Sequence, residues 1–578
     1  MKASMRLVIV CLGGQLAAAS AARGEFERSA PALRQPARHS FEANPLATLH
    51  VATNGSDEAG TGSLARPYRT VGRAAQEAAP GTDIRIHPGT YAGDVNLYGL
   101  AGNATNPIWI RAATATNRPV FEGGSQGFYL SRARHVALQD LIVAGSSANG
   151  INCDDGGDYT DENASGFLAL GNLEVRDVGG GGNQDGIKLS GIRDFHVYGV
   201  EVFRCGGNGA GSGIDMVGCH RGIIEGSRFH ELTANAIQAK GGTSDVEIRQ
   251  NWISDAGHRG VNVGGSTDFE FFRPPLGTNE PNAEARNVRL YANVIVGCTA
   301  AVAFVGAVDC AAANNTIVEP TRWAFRILQE TTTSGGIEFA PCGVGEFDNN
   351  VVYYSHAQLA SYANVGPGTD SATFRVRNNL WFAHDQPTAA AHDLPGTAEG
   401  NLHGADPLFA DASGGDYRIG SESPAAGAGL AFAGARADYD GLPYYSVPSI
   451  GAFEVHGDSD GDGLPDAWEM QTFESLAHEG TADPDEDGHS TWREYVAGTH
   501  PNRADSVPPR LRMALGATEA LSVAPSATGR YYRIERSAQL GPGDWQTVGT
   551  QAGGTGGELV FPVDGEGGGY FRHVVGIP

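Results

Sequence analysis

The sequence predicts an all-β protein: a right-handed parallel β-helix, then a small calcium-binding linker and a C-terminal domain of β-sandwich type. Three observations support this fold class. The chain of 578 residues contains 82 glycines and only 18% charged residues, a composition typical of turn-rich β proteins. A short aliphatic pattern recurs through the middle of the chain. Two acidic motifs with the spacing of a calcium-binding loop follow between residues 458 and 494.

The first residues are typical of an exported protein. Lys2 and Arg6 precede an apolar run at 7–12, and small residues at 19–21 suit cleavage. We therefore interpret residues 1–22 as a signal peptide and residues 23–46 as a linker. The apolar run is far shorter than the ~20 residues that cross a bilayer, so no membrane span is expected. These features predict a secreted protein located outside the cell, in the periplasm or on the cell surface.

The β-helix domain is predicted to span residues 47–455. Between residues 140 and 380 a small, an aliphatic, a polar and a second aliphatic residue recur at spacings mostly in the twenties, the length of one coil. Because side chains alternate along a strand, the first aliphatic residue of each repeat should point inward, and stacking buries a core that no single coil could bury. The inward column contains Ile151, Ile187, Ile214, Ile237, Val261, Val302 and Phe325.

Three further features fit this domain. Residues 71–79 are predicted to form a capping helix before the first coil. Cys153 falls on an inward strand position, so we interpret it as a small core residue. Asparagines at equivalent turns should hydrogen-bond one another from coil to coil, as side-chain ladders do in stacked sheets. They are Asn251, Asn293, Asn315, Asn350 and Asn379.

Residues 456–505 contain two matches to the EF-hand loop. Oxygen-bearing side chains occupy the liganding positions, with glycine at the sixth position and glutamate at the last, a pattern that suits Ca²⁺. This part resembles the paired calcium-binding linkers of bacterial secreted proteins. The expected ligands are Asp458, Asp460, Asp462, Asp466 and Glu469 in the first loop and Asp483, Asp485, Asp487 and Glu494 in the second. Residues 506–578 alternate like strands and predict a small β domain that serves anchoring, secretion or carbohydrate binding.

Outward side chains on consecutive coils form columns, which a β-helix presents as a long groove suited to a linear chain. A net charge of −26 argues against nucleic acid as a partner. Lys188, Lys240 and Arg259 nevertheless fall in one patch, with the loop 267–285 as one wall. Any one of these residues alone could be an ordinary solvated side chain. The expected substrate-binding residues are Asp215, Gln238, Asn262, Arg273, Arg326 and Trp323.

Two short motifs resemble polysaccharide lyases. Residues 154–158, Asp-Asp-Gly-Gly-Asp, followed by 184–191, are similar to family-nine lyases, which have an Asp-Asp-x-x-Asp calcium cluster and then a lysine base. The resemblance implies a catalytic role for Lys188 and a Ca²⁺ site. The implied calcium ligands are Asp154, Asp155, Asp158 and Asp185.

Residues 237–240, Ile-Gln-Ala-Lys, resemble the lysine strand of family-six lyases, which include alginate lyases and chondroitinase B. In that family an arginine on the next coil completes the site. The equivalent position here is Gly264, so the resemblance implies that Arg259 or His258 takes its place.

The resemblance implies β-elimination from a uronic-acid polymer such as pectate or alginate. A cation neutralises the sugar carboxylate and a base removes the adjacent C5 proton. We favour Lys240 as the base, because Arg259 and His258 follow on the next coil, whereas the acids around Lys188 should keep it protonated. The expected partners are Ca²⁺ and an anionic polysaccharide, and the expected state is a monomer.

Other functions are open on the same scaffold. A glycoside hydrolase would use paired carboxylates from Asp154, Asp155, Asp185 and Asp215, placed ~5 to 9.5 Å apart. A C5-epimerase would share the enolate chemistry of the lyase. A non-catalytic surface or carbohydrate-binding protein would also use the calcium loops and the C-terminal domain. The fold alone does not choose among them.

Overall fold

The computed structural model describes residues 45–576. It leaves out residues 115–116, 181, 208, 279–280, 433–434, 436, 442–443, 459, 461, 463, 505, 507–509, 515–519, 525–530, 538–545, 554–558 and 563–569. The predicted signal peptide and nearly all of the predicted linker 23–46 lie outside the described residues.

Three long parallel sheets, here called A, B and C, contain 14, 12 and 10 strands. The chain passes through A, B and C in turn, so that neighbouring strands within a sheet come from successive coils. Because strands of one sheet lie ~4.8 Å apart, each coil advances the domain by that distance. The predicted parallel β-helix is therefore confirmed.

The strands are as follows. Sheet A contains Ala47–Val51, Thr82–Ile86, Ile108–Ala112, Arg134–Gln139, Gly166–Gly171, Arg193–Tyr198, His220–Glu225, Thr243–Arg249, Ala285–Tyr291, Ala307–Val308, Ala311–Ala313, Glu346–Asp348, Arg375–Arg377 and Thr397–Glu399. Sheet B contains Thr90–Ala92, Val120–Glu122, Ile142–Ala144, Glu174–Val178, Glu201–Cys205, Arg228–His230, Trp252–Ser254, Val294–Val296, Thr316–Val318, Val351–Tyr354, Leu380–Ala383 and Leu402–His403. Sheet C contains Val95–Tyr98, Phe128–Ser131, Ile151–Asp154, Ile187–Ser190, Ile214–Val217, Asn235–Lys240, Arg259–Gly264, Ala300–Val305, Trp323–Leu328 and Ser361–Val365.

The inward column of sheet C stacks as predicted. Ile187 pairs with Ile214, and Ile214 pairs with Ile237, so that equivalent side chains lie directly above one another. All seven predicted members are completely buried, and Cys153 is buried among them. Each coil thus contributes apolar area that only its neighbours cover, worth ~25 cal/mol per Å² buried.

The asparagine ladder is also confirmed. Asn251 donates from Nδ2 to Oδ1 of Asn293 at 3.0 Å, and Asn293 donates in the same way to Asn315 at 2.9 Å. The contact repeats through Asn350 and Asn379 and extends to a sixth member, Asn401. The residue before each of the five predicted asparagines has a left-handed backbone, with φ between 50° and 56°, which turns the chain from sheet A into sheet B.

Later segments cover the outer face of sheet B, and a helix covers the N-terminal end of the β-helix. The N-terminal helix spans Val71–Gln76, with the Thr70 side chain accepting a hydrogen bond from the backbone of Arg73. It ends three residues before the predicted boundary, because Ala79 precedes a proline and that position disfavours helical backbone. After sheet B ends, an antiparallel pair, Phe409–Asp411 and Asp416–Ile419, packs with the buried residues 450–453 against its outer face. Short 3₁₀ helices span Phe269–Phe271 and Ser371–Thr373.

The rest of the chain forms two smaller parts. Helices span Asp466–Phe473 and Thr491–Ala497, each beginning within one of the predicted calcium loops. Two three-stranded antiparallel sheets follow and bury a shared apolar cluster. One contains Arg510–Ala514, Ala520–Ala524 and Leu559–Pro562, and the other contains Tyr531–Ser537, Gln546–Gly553 and Tyr570–Gly576. Among the described residues, no helix is long and apolar enough to cross a membrane.

The stacked core makes a direct prediction. Ile214→Asp places an unpaired charge between two neighbouring isoleucines, and we expect the free energy of unfolding to fall by about 4 kcal/mol or more. The matched control is Val365→Asp, because Val365 is an aliphatic residue of the same sheet that is 43% exposed. Chemical denaturation measures both variants. Equal losses of stability would contradict the register described here.

Candidate functional site

The outer face of sheet C carries the polar column predicted from the sequence. Lys188 pairs in register with Asp215, Asp215 with Gln238, and Gln238 with Asn262. Each side chain therefore lies one coil from the next. Lys240 stands two residues further along its strand than Gln238, beside Val217 of the preceding coil.

Two lysines meet at one buried carboxylate. Lys188 Nζ donates to Asp215 Oδ2, and Lys240 Nζ lies 3.6 Å from the same oxygen. Lys188 Nζ also lies 3.4 Å from Asp185 Oδ2. Both carboxylates are almost completely buried, at 1% exposure. The two ammonium groups therefore approach the same carboxylate oxygen. The two-coil spacing of their strands had predicted that they would be too far apart to share a task.

These charges shift one another's protonation. Burial and the neighbouring Asp215 raise the pKa of Asp185 to about 6. Burial would raise the pKa of Asp215, but Lys188 and Lys240 hold it below its ordinary value. Burial would lower the pKa of Lys188, but Asp215 and Asp185 outweigh it and the pKa is raised. Lys188 is therefore a fixed cation, as the sequence predicted from its acidic surroundings.

The chain contains only three lysines, Lys2, Lys188 and Lys240, among its 40 basic residues. Every other basic position is arginine. The two lysines that follow the predicted signal peptide are the two that meet at Asp215. Arginine stays protonated in proteins, whereas a lysine amine can release its proton and act as a base. The sequence analysis relied on repeats and motifs and did not use this count, although it singles out the same two lysines.

A cleft of about 430 Å³ opens beside Lys240. Arg259 crosses it, donating from one terminal nitrogen to Asn262 Oδ1 at 2.8 Å and from the other to Glu330 Oε1 at 3.0 Å. The lining includes five residues predicted to act in catalysis or substrate binding. They are Gln238, Lys240, His258, Arg259 and Asn262.

A second cleft of about 340 Å³ adjoins the first and shares His258 and Arg259 with it. Trp323 lines it, with the guanidinium carbons of Arg322 and Arg326 at 4.2 and 4.4 Å from its ring centroid. Arg326 also donates from Nε to Asn364 Oδ1 at 3.0 Å. Trp323 and Arg326 were predicted from the sequence. Arg322 and Glu330 were not, because they lie outside the recurring columns, and Asn364 was missed although it continues the column of Arg326 by one coil.

Buried Glu284 anchors the wall of the groove. It accepts hydrogen bonds from the backbone amides of Gly241 and Thr267, each at 2.9 Å, and from the Thr331 hydroxyl. These contacts tie the end of the Lys240 strand to the wall loop. Gly264 explains the missing arginine: its φ is +97°, and a β-carbon there would lie 1.8 Å from the Val305 carbonyl oxygen.

Two groups of predicted site residues require correction. Arg273 was expected to bind substrate, but it is buried and donates from Nε to Asp155 Oδ2 at 2.7 Å, fixing the wall loop to the end of another coil. Asp215 was also expected to bind substrate, but it lies beneath the lysines and outside the lining of both clefts.

The four acids at 154–185 are not brought together as a calcium site would require. Asp155 is occupied by Arg273, Asp158 pairs with Arg132 at 3.5 Å, and Asp185 lies beside Lys188. Asp154 accepts a hydrogen bond from the Gly156 amide at 2.9 Å. Among the described residues, the groups of acids close enough to share a metal ion lie in the 458–494 segment.

The two loops of that segment present converging oxygens. Asp460, Asp462 and Glu469 form one group, and Asp483, Asp485 and Asp487 form another; a third joins Asp458, Asp460 and Asp466. Glu469 and Glu494 are completely buried. Neither carboxylate oxygen of Glu469, and only one of Glu494, has a hydrogen-bond partner among the described residues.

Comparison with known proteins agrees with the fold. A family model described as a right-handed β-helix region matches residues 108–272, so the domain is a right-handed parallel β-helix. No curated protein sequence matches the chain. The chain is similar to pectate lyase Pel9A at 17% identity and a TM-score of 0.46, covering 71% of this chain and 96% of that one.

Two other solved structures are similar at comparable levels. A rhamnogalacturonan lyase is 15% identical with a TM-score of 0.44, covering 57% of this chain and 87% of that one. A lacto-N-biosidase from Eubacterium ramulus is 12% identical with a TM-score of 0.41, covering 62% and 68%. All three TM-scores lie below 0.5, and the fold assignment rests on the sheets described above and on the family model.

The two buried acids should respond to pH in opposite ways. The raised pKa of Asp185 means that its contribution to stability is lost as pH rises from about 4 to about 6. Asp185→Asn removes that loss, so the variant should gain up to about 3 kcal/mol relative to the wild type across this interval.

The pKa of Asp215 is lowered, so its contribution is present above its unfolded-state pKa of about 4 and is lost as pH falls. Asp215→Asn should therefore cost about 3 kcal/mol at pH 7 and less at lower pH, because both lysines lose their carboxylate. Urea denaturation between about pH 2 and pH 7 measures both variants, because the Asp215 contribution is lost below its unfolded-state pKa of about 4. If the stability differences of the two variants from the wild type changed with pH in the same direction, the charge assignment would be wrong.

Proposed function

We propose that this protein is a secreted polysaccharide lyase that cleaves a uronic-acid polymer, such as pectate or alginate, by β-elimination. The observation that carries the proposal is the convergence of the two lysines beyond Lys2 on one buried carboxylate, Asp215, so that Lys240 lines the groove of a protein whose other basic residues are arginines. The lining of the two clefts supports it, with one acid against four basic side chains and a histidine. The basic ones are Lys240, Arg259, Arg322 and Arg326.

The charge of the lining favours an anionic polymer. The whole chain carries a net charge of −26, yet the groove concentrates cations, and it is the local field that a substrate meets. The adjoining clefts follow the stacking direction of the coils, which suits a linear chain.

In this mechanism Lys240 removes the C5 proton of a uronate. Arg259, which bridges to Asn262 and Glu330 across the cleft, neutralises the sugar carboxylate and stabilises the enolate-like intermediate by fixed charge. His258, which lines both clefts, assists Arg259 in neutralising the sugar carboxylate. Loss of the glycosidic oxygen from C4 leaves a C4–C5 double bond, and the proton held by Lys240 returns to that oxygen.

Asp215 and Lys188 act beneath this reaction. Asp215 holds Lys240 in position, and Lys188 supplies the cation that keeps Asp215 and Asp185 from accumulating negative charge below the substrate. Lys188 is thus a positioning residue, since it is absent from the lining of both clefts.

A glycoside hydrolase is the second candidate. Asp185 and Asp215 have pKa values pushed in opposite directions, as an acid and a carboxylate base of a hydrolase do. Both acids are nevertheless buried under Lys188 and absent from the cleft lining, so no glycosidic bond in the groove would reach them directly. This placement favours the lyase.

We also propose that the loops at 458–469 and 483–494 each bind one Ca²⁺ ion. Buried carboxylates without partners are costly, and a cation of this size accepts six to eight oxygen ligands. Burial and the neighbouring aspartates raise the pKa of both Glu469 and Glu494 to about 7, the response of carboxylates crowded without a cation. Bound Ca²⁺ would neutralise this crowding and fix the segment that precedes the C-terminal sheets.

Lys240→Ala should lower kcat by about a thousandfold, because the C5 proton loses its acceptor. Lys188→Ala should lower stability more than kcat, and Arg259→Lys should have an intermediate effect on kcat. The rate of new ultraviolet absorbance on pectate and on alginate measures the unsaturated product. Reducing ends without that absorbance would favour the hydrolase instead.

The scarcity of lysine gives this test a control. Reductive ¹³C-methylation of the mature protein would label two side chains and the terminal amine, so that each lysine can be followed by NMR. Binding of an unreactive oligouronate should perturb the Lys240 resonance more than the Lys188 resonance. A Lys240→Ala enzyme with full activity would overturn the assignment and favour Lys188.

Calcium removal should loosen the 456–505 segment. At a calcium concentration a hundredfold above Kd, bound Ca²⁺ adds about 2.7 kcal/mol per site, and a chelator should remove this. Glu469→Gln with Glu494→Gln should make the calorimetric melting profile insensitive to the chelator. Glu486→Gln is the matched control, because Glu486 is an exposed residue of the second loop outside its ligand positions. A wild-type profile that ignores the chelator would contradict the proposal.

A further inference from the structure

The second cleft contains cations that the chemistry at Lys240 does not use. Arg322 and Arg326 flank Trp323 at distances typical of cation–π contacts. Contact with an aromatic ring fixes a guanidinium group while leaving its nitrogen–hydrogen edges able to donate. The ring thus holds both arginines ready to bind an acceptor.

These arginines lack an acidic partner. Within the part of the chain that the structure describes, neither Arg322 nor Arg326 forms an ion pair, whereas the neighbouring Arg259 binds Glu330. Besides its contact with the Trp323 ring, Arg326 donates a hydrogen bond from Nε to the neutral amide oxygen of Asn364. Burial lowers the pKa of Arg326, as do the nearby Arg259 and Arg322, and Glu330 offsets this only in part; like charges are therefore crowded here, and an added anion would relieve them.

The position of the cluster sets its distance from the reaction. Asn235, at the start of the Lys240 strand, pairs with Arg259, which pairs with Ala300, which pairs with Trp323. Trp323 therefore stands three coils from the Lys240 strand, about 14 Å along the groove. One sugar cannot occupy both places.

We propose that Arg322, Trp323 and Arg326 form a distal subsite that binds the anionic group of a sugar further along the polymer whose bond is cleaved at Lys240. The proposal rests on the lyase function and extends it. A carboxylate or a sulfate would accept paired hydrogen bonds from the two guanidinium groups. The preferred substrate then carries negative charge on sugars well beyond the cleavage point.

Binding to the full-length mature Lys240→Ala protein tests this without requiring turnover. Kd is measured for polygalacturonate, alginate, carrageenan, which carries sulfate but no uronate, and uncharged galactan. Adding Arg322→Gln and Arg326→Gln should weaken binding of the preferred anionic polymer by about tenfold or more. The matched control is Arg228→Gln, which removes an exposed charge from sheet B and should change Kd less than twofold. Circular dichroism checks that each variant is folded.

The outcomes separate cleanly. Preference for the uronates identifies a carboxylate site, and preference for carrageenan identifies a sulfate site. With uronate oligomers of increasing length, the loss should appear only in those long enough to reach Trp323 from Lys240. An equal loss at every length, a loss matched by Arg228→Gln, or no binding of any anionic polymer would overturn the subsite. A wild-type protein that binds in the expected way but forms no unsaturated product would instead overturn the lyase function.

Discussion

Successive coils stack in register, and this constraint determines most of what the molecule can do. The pairing that places Ile187, Ile214 and Ile237 in one buried column also places Lys188, Asp215 and Gln238 in one outward column, because the side-chain period of a strand is two. A slip of one residue would exchange the two columns. The asparagine ladder resists such a slip, since each side-chain amide satisfies a neighbour one coil away and lies where water cannot replace it. The buried core, the asparagine ladder and the groove therefore all depend on the same in-register stacking of the coils.

Stacking also explains how an acidic protein can present a cationic groove. Each coil adds one side chain per column, so a few basic residues one or two coils apart concentrate positive charge along one groove despite an excess of acids elsewhere. Asp215 is buried and paired with two lysines, Asp155 is buried and paired with Arg273, and the more exposed Glu330 is paired with Arg259. What remains accessible is mainly the positive charge.

Features that repeat locally could be predicted from the sequence, and contacts between distant segments could not. The inward column and the asparagine ladder follow from period and spacing, and both are present. Arg273 reaches Asp155 across 118 residues, and nothing near either residue indicates that contact. The calcium ligands expected at 154–158 were inferred from a motif, but the motif does not record that an arginine from the wall loop occupies one of them. Arg322 and Glu330 lie at coil ends, where the repeat carries no information. The rarity of lysine could have been read directly from the sequence, and it would have singled out Lys188 and Lys240.

The groove and the calcium loops pose the same electrostatic problem and meet it differently. A buried carboxylate needs a cation close by, because the low-dielectric interior does not replace the water that it loses. At Asp215 the chain supplies that cation itself, through Lys188 and Lys240, which both approach Oδ2, while Oδ1 is buried without a hydrogen-bond partner among the described residues. At Glu469 the surrounding side chains are aspartates, and no described residue donates to either carboxylate oxygen. For these loops we propose that the cation comes from solution. A lysine cation in the groove is also available for proton transfer, which suits the proposed catalytic role. A bound Ca²⁺ ion would instead hold the loops rigid, which suits the proposed role of the 456–505 segment as a junction.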